Sequence, residues 1–295
     1  MTGSVTALEL TTSQARSKVR ALMPVEADLA FRRRCETVVE FLGAGSDARI
    51  LDCGCGYGFM LKVLSEMTGA ELTGVDPDQS RLDHARANLP GHDQVSFVAG
   101  SANALPFGDG RFSHVVCSEV LEHLDDDGTA VAELYRVLEP GGIVVITVPS
   151  ADYPFGWDPP NYVLEHVTGR HLGGERPWSG IWFGHQRLYR PESLRNLLTE
   201  AGFEVVEERP LTHVCPPFAH LLLYGVLKPV LMKGWLPRRL AKAGNRFQSQ
   251  SAQPRGLDSW AMRVLERIDR PNDDALLVQR KRTFVALSIK ARKPL

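Results

Sequence analysis

Leu51-Asp-Cys-Gly-Cys-Gly-Tyr-Gly58 is the stretch on which the reading turns. Arg49-Ile-Leu-Asp-Cys53, just before the glycines, reads as a buried strand, and an apolar helical pattern starts at Phe59. Glycines at 54, 56 and 58 let the backbone turn sharply and pass close to a ligand. The spacing is G-x-G-x-G, and position 59 is Phe, so it is not the G-x-G-x-x-G turn that seats a pyrophosphate on a helix N-terminus. Asp52, two residues before the first glycine, is placed to pair with an ammonium group, directly or through water.

Outward from this turn, apolar runs alternate with helical patterns. Strands are expected at Glu71–Val75, Val95–Val98, Phe112–Cys117 and Ile143–Val148, with helices near Phe59–Met67, Asp78–Leu89 and Thr129–Leu138. The alternation predicts an α/β fold, a doubly wound, mostly parallel sheet with right-handed crossovers. Ala27–Leu42 reads as an amphipathic helix ahead of it, and Ser150–His185 as a loop rich in Gly, Pro, aromatics and His. Pro191 opens a further helix, closed by Gly202, and Phe203–Glu207 and Thr283–Lys290 read as the last strands.

Asp76 falls at the end of the second strand, eighteen residues after Gly58. A carboxylate there accepts both hydrogen bonds of a ribose diol; its plainer reading is the N-cap of the helix that follows. The third strand runs into Gly100-Ser-Ala-Asn-Ala-Leu-Pro-Phe107, and the fourth into Ser118-Glu-Val-Leu-Glu-His-Leu124. Glu119, Glu122 and His123 there are also readable as a solvated turn.

These segments, in this order and spacing, resemble the class I S-adenosylmethionine-dependent methyltransferases, in particular the ubiquinone/menaquinone biosynthesis branch. The resemblance covers about residues 45 to 150. It implies a Rossmann-like seven-stranded sheet in the order 3-2-1-4-5-7-6, with the last strand antiparallel, and S-adenosylmethionine as cofactor. By position, Asp52, Gly54, Cys55, Gly56 and Gly58 would hold the methionine part and Asp76 the ribose. Pro77 would flank the adenine, with Ser101, Ala102 and Asn103 beside it; Ser101 stands where the family has an acid. Ser118 and Glu119 would lie beside the transferable methyl.

The domain reading is a helical cap over 1–46, a cofactor-binding core over 47–150, an insertion over 151–190 that covers the acceptor, the rest of the sheet in 191–210 and 281–295, and a helical insertion over 211–280. The first insertion carries Tyr153, Tyr162, Glu165, His166, His171 and His185. His166 or His185 is the expected base, with His123 behind them, since imidazole suits proton removal near neutrality. About 70 residues separate the last two expected strands, and the largely apolar 218–236 is followed by Arg238, Arg239, Lys242 and Arg246. From Val226 to Leu295 there are 16 Lys and Arg against 5 Asp and Glu. Lid, peripheral membrane contact through 218–246 and homodimer contact are all open readings.

The formal net charge of −1 supplies no basic field for nucleic acid, and no N-P-P-Y segment follows the fourth strand. The five cysteines contain no C-x-x-C, so reduced thiols and no metal are expected. No secretory h-region precedes Arg20, and a cytoplasmic protein, free or membrane-associated, is expected. The function expected is methyl transfer to an oxygen or carbon of a small hydrophobic acceptor. The competing readings are other S-adenosylmethionine-dependent chemistry on the same fold, a non-catalytic cofactor-binding subunit and, least suited to Phe59, a nicotinamide oxidoreductase.

Overall fold

A computed structural model describes residues 12–24, 26–174, 176, 179–222 and 257–295. Its centre is a seven-stranded sheet of order β3-β2-β1-β4-β5-β7-β6, the order the resemblance implies. The strands are β1 (Arg49–Cys53), β2 (Glu71–Asp76), β3 (Val95–Ala99), β4 (Phe112–Ser118), β5 (Leu138–Pro149), β6 (Glu204–Leu211) and β7 (Ala286–Arg292). β1, β2, β3, β4 and β5 pair in parallel, and β7 runs antiparallel to both β5 and β6.

Residues along the central strands alternate between two apolar layers, as the period of two requires. Leu51, Cys53, Val115, Cys117, Val144 and Ile146 join the layer that also contains Ala130 and Leu134 of α5 (Asp127–Val137) and Leu194 and Leu198 of α7 (Pro191–Glu200). Ile50, Val116 and Val145 face the other layer. That layer takes in α2 (Leu29–Leu42), α3 (Phe59–Ser65) and α4 (Gln79–Asn88), with Val19 of α1 (Thr12–Leu22) at its edge. Burial on both faces is why these strands read as continuous apolar runs.

Three expectations are corrected. Ser150–His185 is not merely loop: it contains α6 (Pro159–Thr168). Asp158 caps it through Asn161 N–H, prolines stand at its start, and Gly169 closes it in the left-handed conformation. The stop and start signals were present, but a ten-residue helix among glycines and aromatics shows too little apolar periodicity to stand out. β6 runs on to Leu211, beyond Glu207, and β7 begins at Ala286, three residues after Thr283. β6, at the sheet edge, extends because it pairs with β7 from Glu204↔Arg292 to Leu211↔Ala286, and β7, between β5 and β6, is shifted toward the C-terminus.

Within 211–280, the described part after the sheet contains α8 (Leu257–Asp269) and α9 (Ala275–Arg280). α8 is fastened to α2 by charge. The buried Arg33 guanidinium donates from Nε and Nη2 to the Asp269 carboxylate, the shortest contact 2.7 Å, and from Nη1 to Asp273 at 3.0 Å. Asn272 accepts from His213 and Val214 N–H and donates to Val214 O and Asp269, tying the exit of β6 into the same junction. Removing one member of a buried pair strands the other charge. Asp269→Ala is therefore expected to lower stability by on the order of 3 kcal/mol in urea unfolding, while exposed Asp83→Ala stays within about 0.5 kcal/mol.

Candidate cofactor and acceptor site

The glycine turn folds back on the end of β2. Gly54 and Cys55 N–H both donate to Val75 O, at 2.8 and 3.0 Å. Gly54 has φ +77°, and a Cβ there would sit 2.4 Å from Val120 Cγ2, so only glycine lets the loops after β1 and β4 approach this closely. Cys55 is buried against Gly74, and burial pushes its thiol pKa up, so it fills space and is not a nucleophile.

Asp76 is buried and held from both sides. Its Oδ2 accepts from Gly56 N–H at 3.0 Å and its Oδ1 from Asp78 N–H at 2.9 Å. Each oxygen keeps a second lone pair for a diol. The N-cap of α4 is Asp78, which accepts from Ser80 and Arg81 N–H, so capping does not account for Asp76. Asp52 is 3% exposed, and its Oδ2 has no hydrogen-bond partner. Burial, and then the neighbouring Asp76, pushes its carboxyl up to about 7. An unpaired buried carboxyl beside a glycine cradle fits the ammonium end of S-adenosylmethionine, which would restore the missing partner.

At the adenine end, Ser101 and Ala104 form a bridge, Ser101 Oγ accepts from Asn103 N–H at 3.2 Å, and Asn103 Nδ2 donates to Asp126 O. Ala102 is buried, while Ser101 and Pro77 are exposed. The serine in place of an acid thus braces its own turn and keeps its O–H for a ligand.

On the methyl side, Ser118 Oγ lies 2.8 Å from Thr147 Oγ1, which donates to Glu119 Oε1 at 3.1 Å. Arg34 of α2 meets Glu119 Oε2 at 3.2 Å. Glu119 has φ +58°, a left-handed backbone that is uncommon for a residue with a side chain and that gathers at functional sites. Past this kink, Glu122 is fully buried with neither oxygen hydrogen-bonded, which overturns the solvated-turn reading for that residue.

Of the three histidines, two meet. His123 Nδ1 donates to Gly184 O at 2.8 Å. His123 and His185 have ring centroids 4.8 Å apart, and His185 Nε2 lies 3.9 Å from Glu122 Oε1. One donor-capable atom from each of Glu122, His123 and His185 falls within a 4.8 Å cluster. Burial, and then His123, pushes the His185 imidazole down to about 4. His166 is instead exposed on α6, its Nδ1 2.7 Å from Tyr162 O and its ring stacked on Tyr162. Glu165 accepts from Tyr153 O–H at 2.9 Å and from Trp182 Nε1, and His171 stacks on Trp182, which makes these residues the insertion's frame. The insertion's far end is laced to the loop after β4: Gln186 N–H donates to Glu122 O at 2.8 Å, and Arg187 Nη2 to Leu124 O and Asp125 O.

Arg34, Glu122 and Thr147 escaped the sequence reading as site residues. The first comes from a helix outside the glycine-loop pattern and the last from mid-strand; only the Glu119-Val-Leu-Glu-His123 spacing carried a signal.

A family model described as a methyltransferase domain matches residues 51–146. A demethylmenaquinone methyltransferase of Thermus thermophilus is 32% identical over 199 residues, 62% of this chain and 86% of that protein. The chain belongs to the S-adenosylmethionine-dependent methyltransferases. A probable S-adenosylmethionine-dependent methyltransferase of Mycolicibacterium smegmatis is 30% identical over 184 residues, 61% of this chain, and the match spans only 62% of that relative's length. Among solved structures, the [4+2]-cyclase SpnF superposes with a TM-score of 0.54 at 19% identity, covering 97% of this chain and 98% of that one, a likeness of fold alone. S-adenosylmethionine is the cofactor on which this family depends, and the glycine loop, Asp52 and Asp76 fit it.

Two outcomes test the cofactor residues. Asp76→Ala is expected to weaken S-adenosylhomocysteine binding by about 10- to 100-fold in calorimetry, the loss of one or two hydrogen bonds to a charged acceptor. Asp52 gives a pH dependence. Its folded-state pKa lies above the unfolded value, so the free protein loses stability as pH rises from 3.8 toward about 7. The ammonium pairs with the ionised form, so affinity should rise about tenfold per pH unit up to that value and level off above it. Asp52→Asn should bind more weakly and show no such slope; an unchanged slope would remove Asp52 from the site.

Proposed function

We propose that this methyltransferase transfers the methyl group to an oxygen or carbon of a small hydrophobic acceptor held beneath the insertion 151–190. The observation that carries the reading is the lacing of that insertion onto the loop after β4, which brings His185 to His123 beside the strained turn at Glu119. Bound S-adenosylmethionine supplies a methyl made electrophilic by its sulfonium. The chain's part is to align the acceptor with it, which provides about 7–11 kcal/mol, and to take the acceptor's proton, worth about 10²- to 10⁴-fold.

In this reading Asp52, Gly54, Cys55, Gly56 and Gly58 hold the methionine part and Asp76 the ribose. Pro77, Ser101, Ala102 and Asn103 face the adenine, and Ser118 and Glu119 border the methyl. His185, with its ring against His123, serves as the base; His166, facing away on α6, does not. Tyr153, Trp157 and Ile181 pack with Ala30, Ala219 and Val285 into a small apolar core that seats the insertion against the rest of the protein. An apolar acceptor is supported by the names of two relatives: a demethylmenaquinone methyltransferase and a 2-phytyl-1,4-naphtoquinone methyltransferase.

No helix among the described residues is long and apolar enough to cross a membrane. Of the apolar and basic stretch 218–246, residues 223–246 lie outside the described residues, so peripheral membrane contact, a lid and a homodimer contact stay expectations of the sequence. Other chemistry on the same fold and a non-catalytic subunit are separated from methyl transfer by turnover. With labelled S-adenosylmethionine and a panel of naphthoquinols and long-chain phenols, label is expected in the organic phase. His185→Ala should lower the rate by about 100-fold or more, and His166→Ala by less than twofold. Equal losses in the two variants would sink the assignment of the base, and no label with any acceptor would sink methyl transfer to this class.

A further inference from the structure

Helix α8 meets the rest of the protein with one face and leaves the other bare. On the inner face Met262 and Asp269 are buried, and the acids are engaged by α2: Glu266 accepts from Arg32 Nη1 at 3.4 Å and Asp269 from Arg33 Nη2 at 2.7 Å. On the outer face Trp260 is 59% exposed, and Val264 and Ile268 follow it, exposed, at successive steps of four. That spacing aligns the three along one stripe of the helix. Arg263 and Arg267, both exposed, stand one position before Val264 and Ile268 and so run along the border of the stripe. α9 exposes Leu276, and Arg270, Arg280, Lys281 and Arg282 are exposed as well. The acids between α8 and α9 are taken up within the fold: Asp273 is held by Arg33 and Arg16, and Asp274 caps α9. Among the described residues, no ion pair engages the six exposed basic side chains.

We propose that the outer face of α8 is a docking surface for a membrane that carries anionic lipids. The chemistry of the face selects this partner. A row of Trp, Val and Ile needs an apolar medium, and the arginines beside it need anions at the same level. The boundary between acyl chains and anionic headgroups offers both. An amphipathic helix lies there with its apolar side chains sunk by about 5–10 Å, tryptophan at headgroup level and arginines reaching out to phosphates. A second copy of this chain would set arginines against arginines, and the described acids of α8 are already engaged on the inner face. A nucleic acid would take the arginines and leave the apolar row in water.

The charge is local. The whole chain carries −1, while Val226–Leu295 holds 16 Lys and Arg against 5 Asp and Glu. An uneven distribution of this kind turns the molecule toward an anionic surface before contact. Phe218, Leu221 and Leu222, the described residues that lead up to position 223, are exposed and apolar too. With so few apolar side chains the contact is shallow and reversible, and it needs the charge as a second attraction. The face is presented by a fixed element, since Arg33 and Asp269 bind α8 to α2. The inference goes beyond the methyl-transfer reading and does not rest on it: it concerns a face formed by α8, distinct from the stretch 218–246, and holds whichever acceptor the protein takes.

The test is co-sedimentation of the full chain with vesicles of phosphatidylcholine mixed with phosphatidylglycerol, against vesicles of phosphatidylcholine alone. Binding is expected to the mixed vesicles at low salt, with release at about 0.5 M salt, where screening is nearly complete. Arg263→Glu with Arg267→Glu should weaken it by about tenfold or more, from the loss of two basic residues near the surface. Trp260→Ser with Val264→Ser should weaken it by about tenfold. Val163→Ser with Val167→Ser, a change of equal kind on the exposed side of α6, should leave it unaltered. Should the double variants not fold, Trp260→Phe carries the test. Lipids brominated in the acyl chain are expected to quench the tryptophan fluorescence of the native protein, less so in Trp260→Phe, and undiminished quenching overturns the proposal. So does failure to bind mixed vesicles, or binding that survives the α8 variants and is lost in Arg238→Glu with Arg239→Glu. A concentration-dependent dimer in sedimentation velocity that the α8 variants abolish would give the face to a second copy and overturn it as well. The readout contains no acceptor, so a protein that binds vesicles but transfers no methyl group leaves this inference standing and sinks only the methyl-transfer reading.

Discussion

The site depends on one close approach, that of the loop after β1 to the loop after β4 at Gly54 and Val120. With no Cβ at position 54, β1 and β4 can stay in register as neighbours while both chains turn away from the sheet at the same level. Asp76, reaching across from β2 to Gly56 N–H, fixes the height of the first loop. Glu119, in a left-handed backbone and held by Thr147 and Arg34, fixes the direction of the second. A side chain at 54 would part the two loops, and with them the cofactor cradle and the cluster at 122–123. Backbone strain at Glu119 and an unpaired carboxyl at Asp52 are tolerated because the parallel sheet beneath is buried on both faces and cannot relax around them.

What was legible in the sequence follows from this geometry. The glycine loop, Asp76 and the sheet order lie in a stretch where apolar runs, stop signals and motif spacing repeat at short range, and there the reading of the fold was right. Glu122 was misread because local sequence shows an acid beside a histidine and says nothing about the chain that covers it; His185, 63 positions on, supplies the cover. Arg34 was missed because a charged residue on an amphipathic helix ordinarily faces water, whereas α2 turns it toward Glu119. Helix α6 went unread because its signals are caps and prolines and not an apolar stripe. The edge strand β6 was drawn too short, since its outer residues are held by pairing with β7 and not by burial.

Charge pairs add to the apolar packing of α1 and α2 in joining the outer elements to the glycine-loop core. Arg33 with Asp269 and Asp273, Arg20 with Glu36, and Arg209 with Glu40 join α1, α2, α8 and the edge of the sheet. Such pairs contribute little net stability when buried but are intolerant of a missing partner. They set where α2 sits against the sheet, and α2 carries the arginine that orients Glu119.

The kink at Glu119 has a consequence for how this protein can change. The residues proposed to hold the cofactor lie on one side of that single residue in the chain path, in the strand ends and the glycine loop. His123 and the insertion proposed to cover the acceptor lie on the other side. The two halves meet at that backbone turn, at the hydroxyl of Thr147, where Val120 lies against Gly54, and where Asn103 donates to Asp126 O. Beyond these contacts, the segment proposed to cover the acceptor can be rebuilt while the glycine loop keeps its form, so selectivity and chemistry are free to drift at separate rates.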